Sequence, residues 1–414
     1  MTPKQLTRQF CLQQALHWAI TGIGIPVIIL LFQAKGLSLF DIGIVMAAWI
    51  GSTTLLEIPL GSVADKYGRR STYILSLWVS ILGNMLLLAA NHLLSITLAA
   101  TLLGAARALY SGTLDAWFYQ RFHELNDDQP DNFHSALAKV NIAVTLGLAF
   151  GALIGGALPE WYATFSSSAA HGYNLNVVLI IFATFGLALF TILVFDNDKP
   201  QQHDTISIDA RITTTMRHAF QHPTLKRLMQ TTLVMGATLS CIENYWQPYL
   251  NDTLQSKNTI IFGLLSALYF VMAAISSWLS MPLLKLFHGS HKMLITSSRV
   301  LAAIALVLLA STASIITFSC LYLLFFFFFS LGENSESVLI HRHSDEHVRA
   351  TMLSIHSCLV SLGGVVASLA FGFVSQHAGI AISWVSCGIL LLLSSALLLL
   401  IPSAAIDGEL IKNG

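Results

Sequence analysis

Charge is what this chain has least of: Asp, Glu, Lys and Arg make up 10% of its 414 residues, where a soluble domain carries about a quarter. So few charges cannot cover an ordinary solvated surface. With 55% hydrophobic residues and a mean hydropathy of +0.70, most side chains must face lipid or other helices. The formal net charge is zero, which leaves no basic excess to bind nucleic acid. Cysteine is also sparse. Cys11, Cys241, Cys320, Cys358 and Cys387 lie in apolar stretches with no CxxC pair, arguing against a disulfide framework or a zinc site. No GxxxxGK loop is present to cradle a phosphate, so nothing points to direct use of ATP, and no motif asks for a cofactor.

What the chain does have is long hydrophobic runs. A bilayer core needs about 20 apolar residues per helix, and such segments fall at 10–32, 41–64, 72–90, 93–121, 135–158, 175–195, 226–250, 259–286, 292–311, 314–341, 348–376 and 379–402. The first is too long for a signal h-region and no small-residue cleavage site follows, so it reads as a retained span. The longest polar interval follows the sixth segment. The chain therefore divides into an N-terminal six-helix bundle (1–195), a linker (196–225) and a C-terminal six-helix bundle (226–414): an all-α polytopic membrane protein of twelve helices. Within the linker, Ile208, Ile212, Met216 and Phe220 recur at helical spacing among Arg211, Arg217 and His218, as in a helix lying on the membrane surface; a disordered tether is the alternative.

Basic residues set the expected topology. With both termini cytoplasmic, only Lys35 and Lys257 of the 21 Lys and Arg fall outside, and Arg107 and Arg299 lie within spans. A faint repeat supports duplication of the halves. Laying the segment from Gly43 over that from Gly263 puts Asp65 opposite Lys285, with Gly68 one residue from Gly289.

The junction GSVADKYGRR, residues 61–70, reads as a tight turn on Gly61 and Gly68 carrying Asp65, Lys66, Arg69 and Arg70 between two apolar helices. It resembles the signature loop of the major facilitator superfamily. The resemblance implies a secondary transporter of two pseudo-symmetric bundles related by an axis along the membrane normal. It also implies that the loop is a cytoplasmic conformational latch, paired with an acid low on the fourth segment; Asp115 is the candidate. Glycines at 147, 151, 155 and 156 in GLAFGALIGG are similar to the skeleton of the antiporter motif of exporters in that superfamily, with Ala152 in place of its proline. Generic close packing of helices is the other reading of Gly147, Gly151, Gly155 and Gly156. GAARALYSGTLDAW resembles the family's arginine and glycine pattern, with one residue too many between Arg107 and Gly112.

An ionised residue in mid-span is costly enough to be a functional candidate by default. Arg107 is one, either binding an anionic group or pairing with Asp115. Carboxyl groups held in a low-dielectric cavity can exchange protons near neutrality, which is what a proton-coupled carrier needs. Glu57, Asp115, Glu243, Glu333 and Glu336 are the acids within spans. Glu243 lies in CIENYWQPY, where Asn244, Tyr245, Trp246 and Gln247 offer hydrogen-bonding and aromatic surface for a substrate. Glu333 and Glu336 share a helix face, and the expectation is a proton on Glu333 and a structural partner for Arg299 or Arg349 in Glu336. His17 and His356 could titrate within their spans. HRHSDEH, residues 341–347, is dense in metal-ligand types, but no second cluster accompanies it and a polar cytoplasmic turn accounts for it.

These features lead to one reading: a monomeric, proton-driven antiporter in a bacterial inner membrane, exporting a small organic molecule such as a drug-like compound or siderophore by alternating access. A proton symporter importing a nutrient is the alternative, and a transporter-like sensor or membrane metalloenzyme stands behind both.

Overall fold

The computed structural model describes residues 2–125, 131–165, 169–196, 222–256, 258–344 and 349–400. The surface-helix stretch at 208–220, and Asp345, Glu346 and His347, fall outside them, and the side chains of Gly61, Asp65 and Arg349 are likewise not described. Among the described residues all regular structure is helical.

Local sequence explains where the helices start and stop. Helix α1 (Pro3–Gly24) begins with Pro at its first position and a Thr2–Gln5 capping box, which satisfies two otherwise orphaned N–H groups. Pro26 interrupts it, because proline lacks the N–H needed to continue the ladder, and α2 (Ile28–Ala34) resumes the same membrane-length stretch. Ser38 and Asp41 cap α3 (Leu39–Tyr67), which is followed by α4 (Arg69–Ala89). The fourth hydrophobic segment is two helices, α5 (Leu93–Tyr110) and α6 (Thr113–Leu125). Next come α7 (Asp131–Ala163), α8 (Ala169–Val194) and α9 (Pro223–Pro248), the last continued by a π-helical turn at Tyr249–Thr253. The chain ends with α10 (Thr259–Leu286), α11 (His291–Leu309), α12 (Ile315–His343), α13 (Arg349–Ala378) and α14 (Ile380–Leu399).

Two sequence expectations change here. The junction at 61–70 is not a loop: Gly61 through Tyr67 complete α3, and the turn is Gly68 alone, at φ +91°. Nothing between Gly61 and Tyr67 forbids a helix, whereas a left-handed φ is open to glycine without a Cβ clash. Between α10 and α11, His288 and Gly289 adopt φ +54° and +80°. The fourth segment, read as one span over 93–121, breaks at Ser111–Gly112, where Gly112 takes φ +68°. The extra residue between Arg107 and Gly112 lies at this break.

Among the described residues eleven stretches are long and apolar enough to cross a membrane. The twelfth helix, α9, matches them in length but carries Lys226, Arg227, Gln230, Glu243, Asn244 and Gln247. The exterior is apolar, with Leu193 83% and Leu94 82% exposed, as lipid-facing positions are. The described residues form two compact units. The first holds α1 to α8 with Ser256–Phe270; the second holds α9, its π-helical turn, α10 from Val271, and α11 to α14.

Backbone proximity organises each unit. In the first, Gly147, Gly151 and Gly155 of α7 lie on the carbonyls of Ala15, Ala19 and Ile23 of α1, so that any Cβ there would strike backbone. Gly156 faces another way. It meets Gly263 of α10, and Thr259 Oγ1 donates to its carbonyl at 2.7 Å while Glu160 Oε1 accepts from the Thr259 N–H at 2.9 Å. In the second unit Gly236 of α9 lies on Val360, and Gly363 of α13 on Leu233. Small residues that let backbones meet are how helices associate where lipid removes the hydrophobic drive between them.

This packing makes a direct prediction. Gly151→Leu forces a side chain into the Ala19 carbonyl and should destabilise the first unit by about 1–3 kcal/mol or more. Gly186→Ala, where an added Cβ meets nothing within 4 Å, should be neutral or gain up to about 1 kcal/mol from helix propensity. Thermal unfolding in detergent, followed by size exclusion, checks both; equal melting of the two variants would refute the backbone contact.

Candidate functional site

Arg107, in the last turn of α5, and Arg299, in the middle of α11, each lie within a membrane-length stretch, and the two are neutralised differently. In the first unit, residues of α1 to α5 and of α8 line a cavity of about 380 Å³. Arg107 of α5 opens into it. Its guanidinium lies over the ring of Trp18 at 4.7 Å and that of Tyr110 at 5.5 Å, a cation–π arrangement. His17 stacks on Tyr110 with centroids 4.2 Å apart and planes 13° from parallel.

A hydrogen-bonded scaffold on α1 holds these rings. Gln14 Oε1 accepts from Trp18 Nε1 and from the Tyr110 hydroxyl, each at 3.1 Å. The Tyr73 hydroxyl is 2.5 Å from Gln13 Nε2 and 3.0 Å from His17 Nδ1. Gln13 and Gln14 are fully buried, so the network is a fixed element of the wall. Gln13, Gln14, Trp18, Tyr73 and Tyr110 were not singled out by sequence reasoning. The available signal was two glutamines and a histidine within one membrane span, which by the cost of burying polar groups marks a site.

In the second unit, four helices converge on Glu336 of α12. Arg299 Nη2 of α11 reaches its Oε2 at 2.6 Å, and Thr232 of α9 donates to Oε1 at 3.0 Å. His356 Nε2 of α13 stands 3.6 Å from Oε1. The pair is 1% and 2% exposed. Glu333, one turn earlier, is not in it. Both Glu333 and Glu336 line a second cavity of about 270 Å³, together with Phe329, Asn334, Ser337 and His356.

The residues from Glu243 to Gln247 do not form one surface. Glu243 is exposed on α9, whereas Asn244 donates to Ser240 and Ser368, the Tyr245 hydroxyl donates to the Ser368 carbonyl at 3.2 Å, and Trp246 packs on Tyr322. Gln247 is also buried. Four residues already circle a helix of 3.6 residues per turn, so five in a row cannot share one face. That corrects the expectation of a shared substrate surface.

The junction arginines reach backbone of two other helices. Arg69 donates to the Ala116 carbonyl at 2.7 Å, next to Asp115 and not to its carboxylate, and Arg70 donates to the Ile192 carbonyl near the end of α8 at 2.8 Å. Asp115 is exposed and forms no ion pair among the described residues, with Arg107 or any other cation. Glu57, on α3, accepts from Ser111 at 2.7 Å at the break between α5 and α6. The described residues include no group of three metal-ligating side chains.

The chain of membrane-length helices matches known proteins over most of its length. A family model described as Major Facilitator Superfamily matches residues 10–332. The chain belongs to that superfamily. It is a multi-pass membrane transporter and not an enzyme. Among major facilitator relatives, the MFS-type transporter YxaM of Bacillus subtilis (strain 168) is 20% identical over 395 residues, covering 94% of each chain. YcaD of Shigella flexneri, also named an MFS-type transporter, is 26% identical over 172 residues, 41% of this chain and 40% of that one. Two solved structures share the major facilitator fold. A bacterial homologue of the human lysosomal transporter Spinster, inward-facing and unoccupied, superposes with a TM-score of 0.79 at 14% identity, covering 98% of both chains. The nucleoside transporter NupG gives 0.74 at 13% identity over 95% of this chain and 98% of its own.

The buried ion pair makes the second prediction. Arg299→Ala leaves Glu336 charged and without its partner, and should cost about 3–5 kcal/mol; the double change Arg299→Met with Glu336→Met should recover most of that. Unfolding of the purified single and double variants in detergent measures the coupling. Additive losses would show that the pair is not a unit.

Proposed function

We propose that this carrier is a proton-driven antiporter that exports a small amphipathic organic molecule by alternating access, working as a monomer in a bacterial inner membrane with both termini in the cytoplasm. The observation that carries the coupling is the division of labour between two acids one turn apart. Both border the second cavity, but Glu336 is committed to Arg299, Thr232 and His356, whereas Glu333 forms no ion pair among the described residues. A carboxyl group with access to a water-sized space inside a membrane helix bundle can gain and lose a proton without dismantling an ion pair. Glu243, exposed on α9, forms no ion pair among the described residues and is the second candidate.

The amphipathic character of the substrate is supported by the first cavity. Its hydroxyl groups are largely spent on their own helices, while its aromatic faces and Arg107 remain open. Proton and substrate then compete through one conformational equilibrium, each favouring the state in which the other is released. The bias of Lys and Arg toward one side supports the orientation, and the likeness of the α7 glycines to the exporter motif supports the direction.

Proteoliposomes with a trapped pH dye test the proposal under an imposed proton gradient, screening drug-like compounds, siderophores and metabolites. The expected outcome is proton movement opposite to substrate flux, abolished in Glu333→Gln and retained in Asn244→Ala. Movement in the same direction would make the protein a symporter. Loss in Glu243→Gln with Glu333→Gln unaffected would move the proton to α9.

A further inference from the structure

We propose that the cavity of the first unit binds a planar aromatic monocarboxylate, with the carboxylate on the open fork of Arg107 and the ring against Trp18 and the stacked His17 and Tyr110. The assignment rests on the transporter reading above and names the substrate class that reading leaves open.

Charge comes first. An arginine in mid-span needs a counter-charge or a strong substitute for water. Arg299 has a carboxylate at 2.6 Å. Arg107 has none within ion-pair distance among the described residues, and its guanidinium makes no hydrogen bond there; its recorded contacts are the faces of Trp18 and Tyr110. The planes of Trp18 and Tyr110 stand 80° apart, so the guanidinium face can stack on at most one of them, while its N–H groups have no hydrogen-bond partner among the described residues. A planar fork with its edges open fits a carboxylate in bidentate fashion. Glu57 is the acid whose charge reaches Arg107, but it does not line the cavity, and its Oε1 is taken by Ser111 at 2.7 Å.

Valence follows from the lining. Among the described residues no second Lys or Arg and no Asp or Glu borders the cavity, and His17 is engaged by the Tyr73 hydroxyl and the Tyr110 ring. One negative charge therefore neutralises it. A dianion would bring an unpaired charge into a low-dielectric site, and a cation would meet like charge.

The body of the ligand is set by what the remaining side chains still offer. Thr21 donates to the His17 carbonyl at 3.1 Å, Ser76 to that of Tyr73 at 2.6 Å, and Thr184 to that of Ile180 at 2.7 Å. Asn84 donates to the Ser80 carbonyl at 2.8 Å. With these donors directed at backbone, a sugar or other polyhydroxylated ring would lose its hydration and find few replacements. An aromatic ring finds flat partners. Trp18 and Tyr110 are held by the single oxygen of Gln14 and cost little further ordering on binding. The volume of about 380 Å³ is near the small end of the range of about 300–1,000 Å³ for small-molecule sites, which suits one or two fused rings.

The test uses the full-length protein in nanodiscs and equilibrium binding of tritiated 2-naphthoate, with unlabelled 2-naphthamide and naphthyltrimethylammonium as competitors of the same ring but different charge. Wild type should bind naphthoate and prefer it over the amide by about tenfold or more, the worth of one charge-assisted contact. Arg107→Gln should lose that preference, Arg107→Lys should keep part of it, and Trp18→Leu should weaken acid and amide alike. Equal competition by amide and acid, preference for the ammonium compound, or no naphthoate binding by folded wild-type protein would each overturn the proposal. The ligand comparison on wild type stands even if Arg107→Gln fails to fold. Naphthoate binding without any proton movement in proteoliposomes would sink the coupling reading and leave this site intact. Proton-coupled transport of unrelated cations, with no naphthoate binding, would do the reverse.

Discussion

Holding a charge inside the bilayer is the constraint from which the rest of this molecule follows. Water is absent there, so every ionised group must find its stabilisation within the protein. The two mid-span arginines meet that demand by opposite means. Arg299 is enclosed with Glu336, and Thr232 and His356 crowd the carboxylate's other oxygen. Arg107 faces a cavity with the rings of Trp18 and Tyr110 near it and no carboxylate in ion-pair reach among the described residues. A closed pair serves structure, because removing either partner strands the other. An open cation serves binding, because its counter-charge can arrive and leave.

Both arrangements need walls that do not yield. Those walls come from helices packed at backbone distance, with α1 locked to α7 through Gly147, Gly151 and Gly155, and α9 to α13 through Gly236 and Gly363. The α1 face that carries Gln13, Gln14, His17 and Trp18 is thereby held in register with Tyr73 and Tyr110 on neighbouring helices. Where the walls are interrupted, at Pro26 and at Ser111–Gly112, the breaks lie close in sequence to residues that border the first cavity.

Much of the fold was legible in the sequence. Hydropathy located the spans, and the 61–70 junction located the superfamily before any coordinates. It misplaced the geometry of that junction, because the resemblance speaks of a loop while the residues from Gly61 to Tyr67 are free to remain helical. The site was legible in part. Arg107, His17, Glu333 and Glu336 stood out as charges or titratable groups in apolar runs. Tyr73, Tyr110 and the two glutamines did not, because each looks like ordinary helix content until its partner on another helix is known. The CIENYWQPY cluster misled for the converse reason: adjacency along the chain is not adjacency on a helix surface.

Sequence by itself determined the membrane class, the spans, the superfamily and the positions where glycine permits close approach. These depend on composition and local spacing, which sum along the chain regardless of what packs against it. Tertiary structure decided which acid closes on Arg299, which residue of α9 faces open space, and which arginine is left uncovered. Those outcomes depend on the angle at which each side chain leaves its helix and on the neighbour it meets, and a helix acquires its neighbours only when the bundle is assembled.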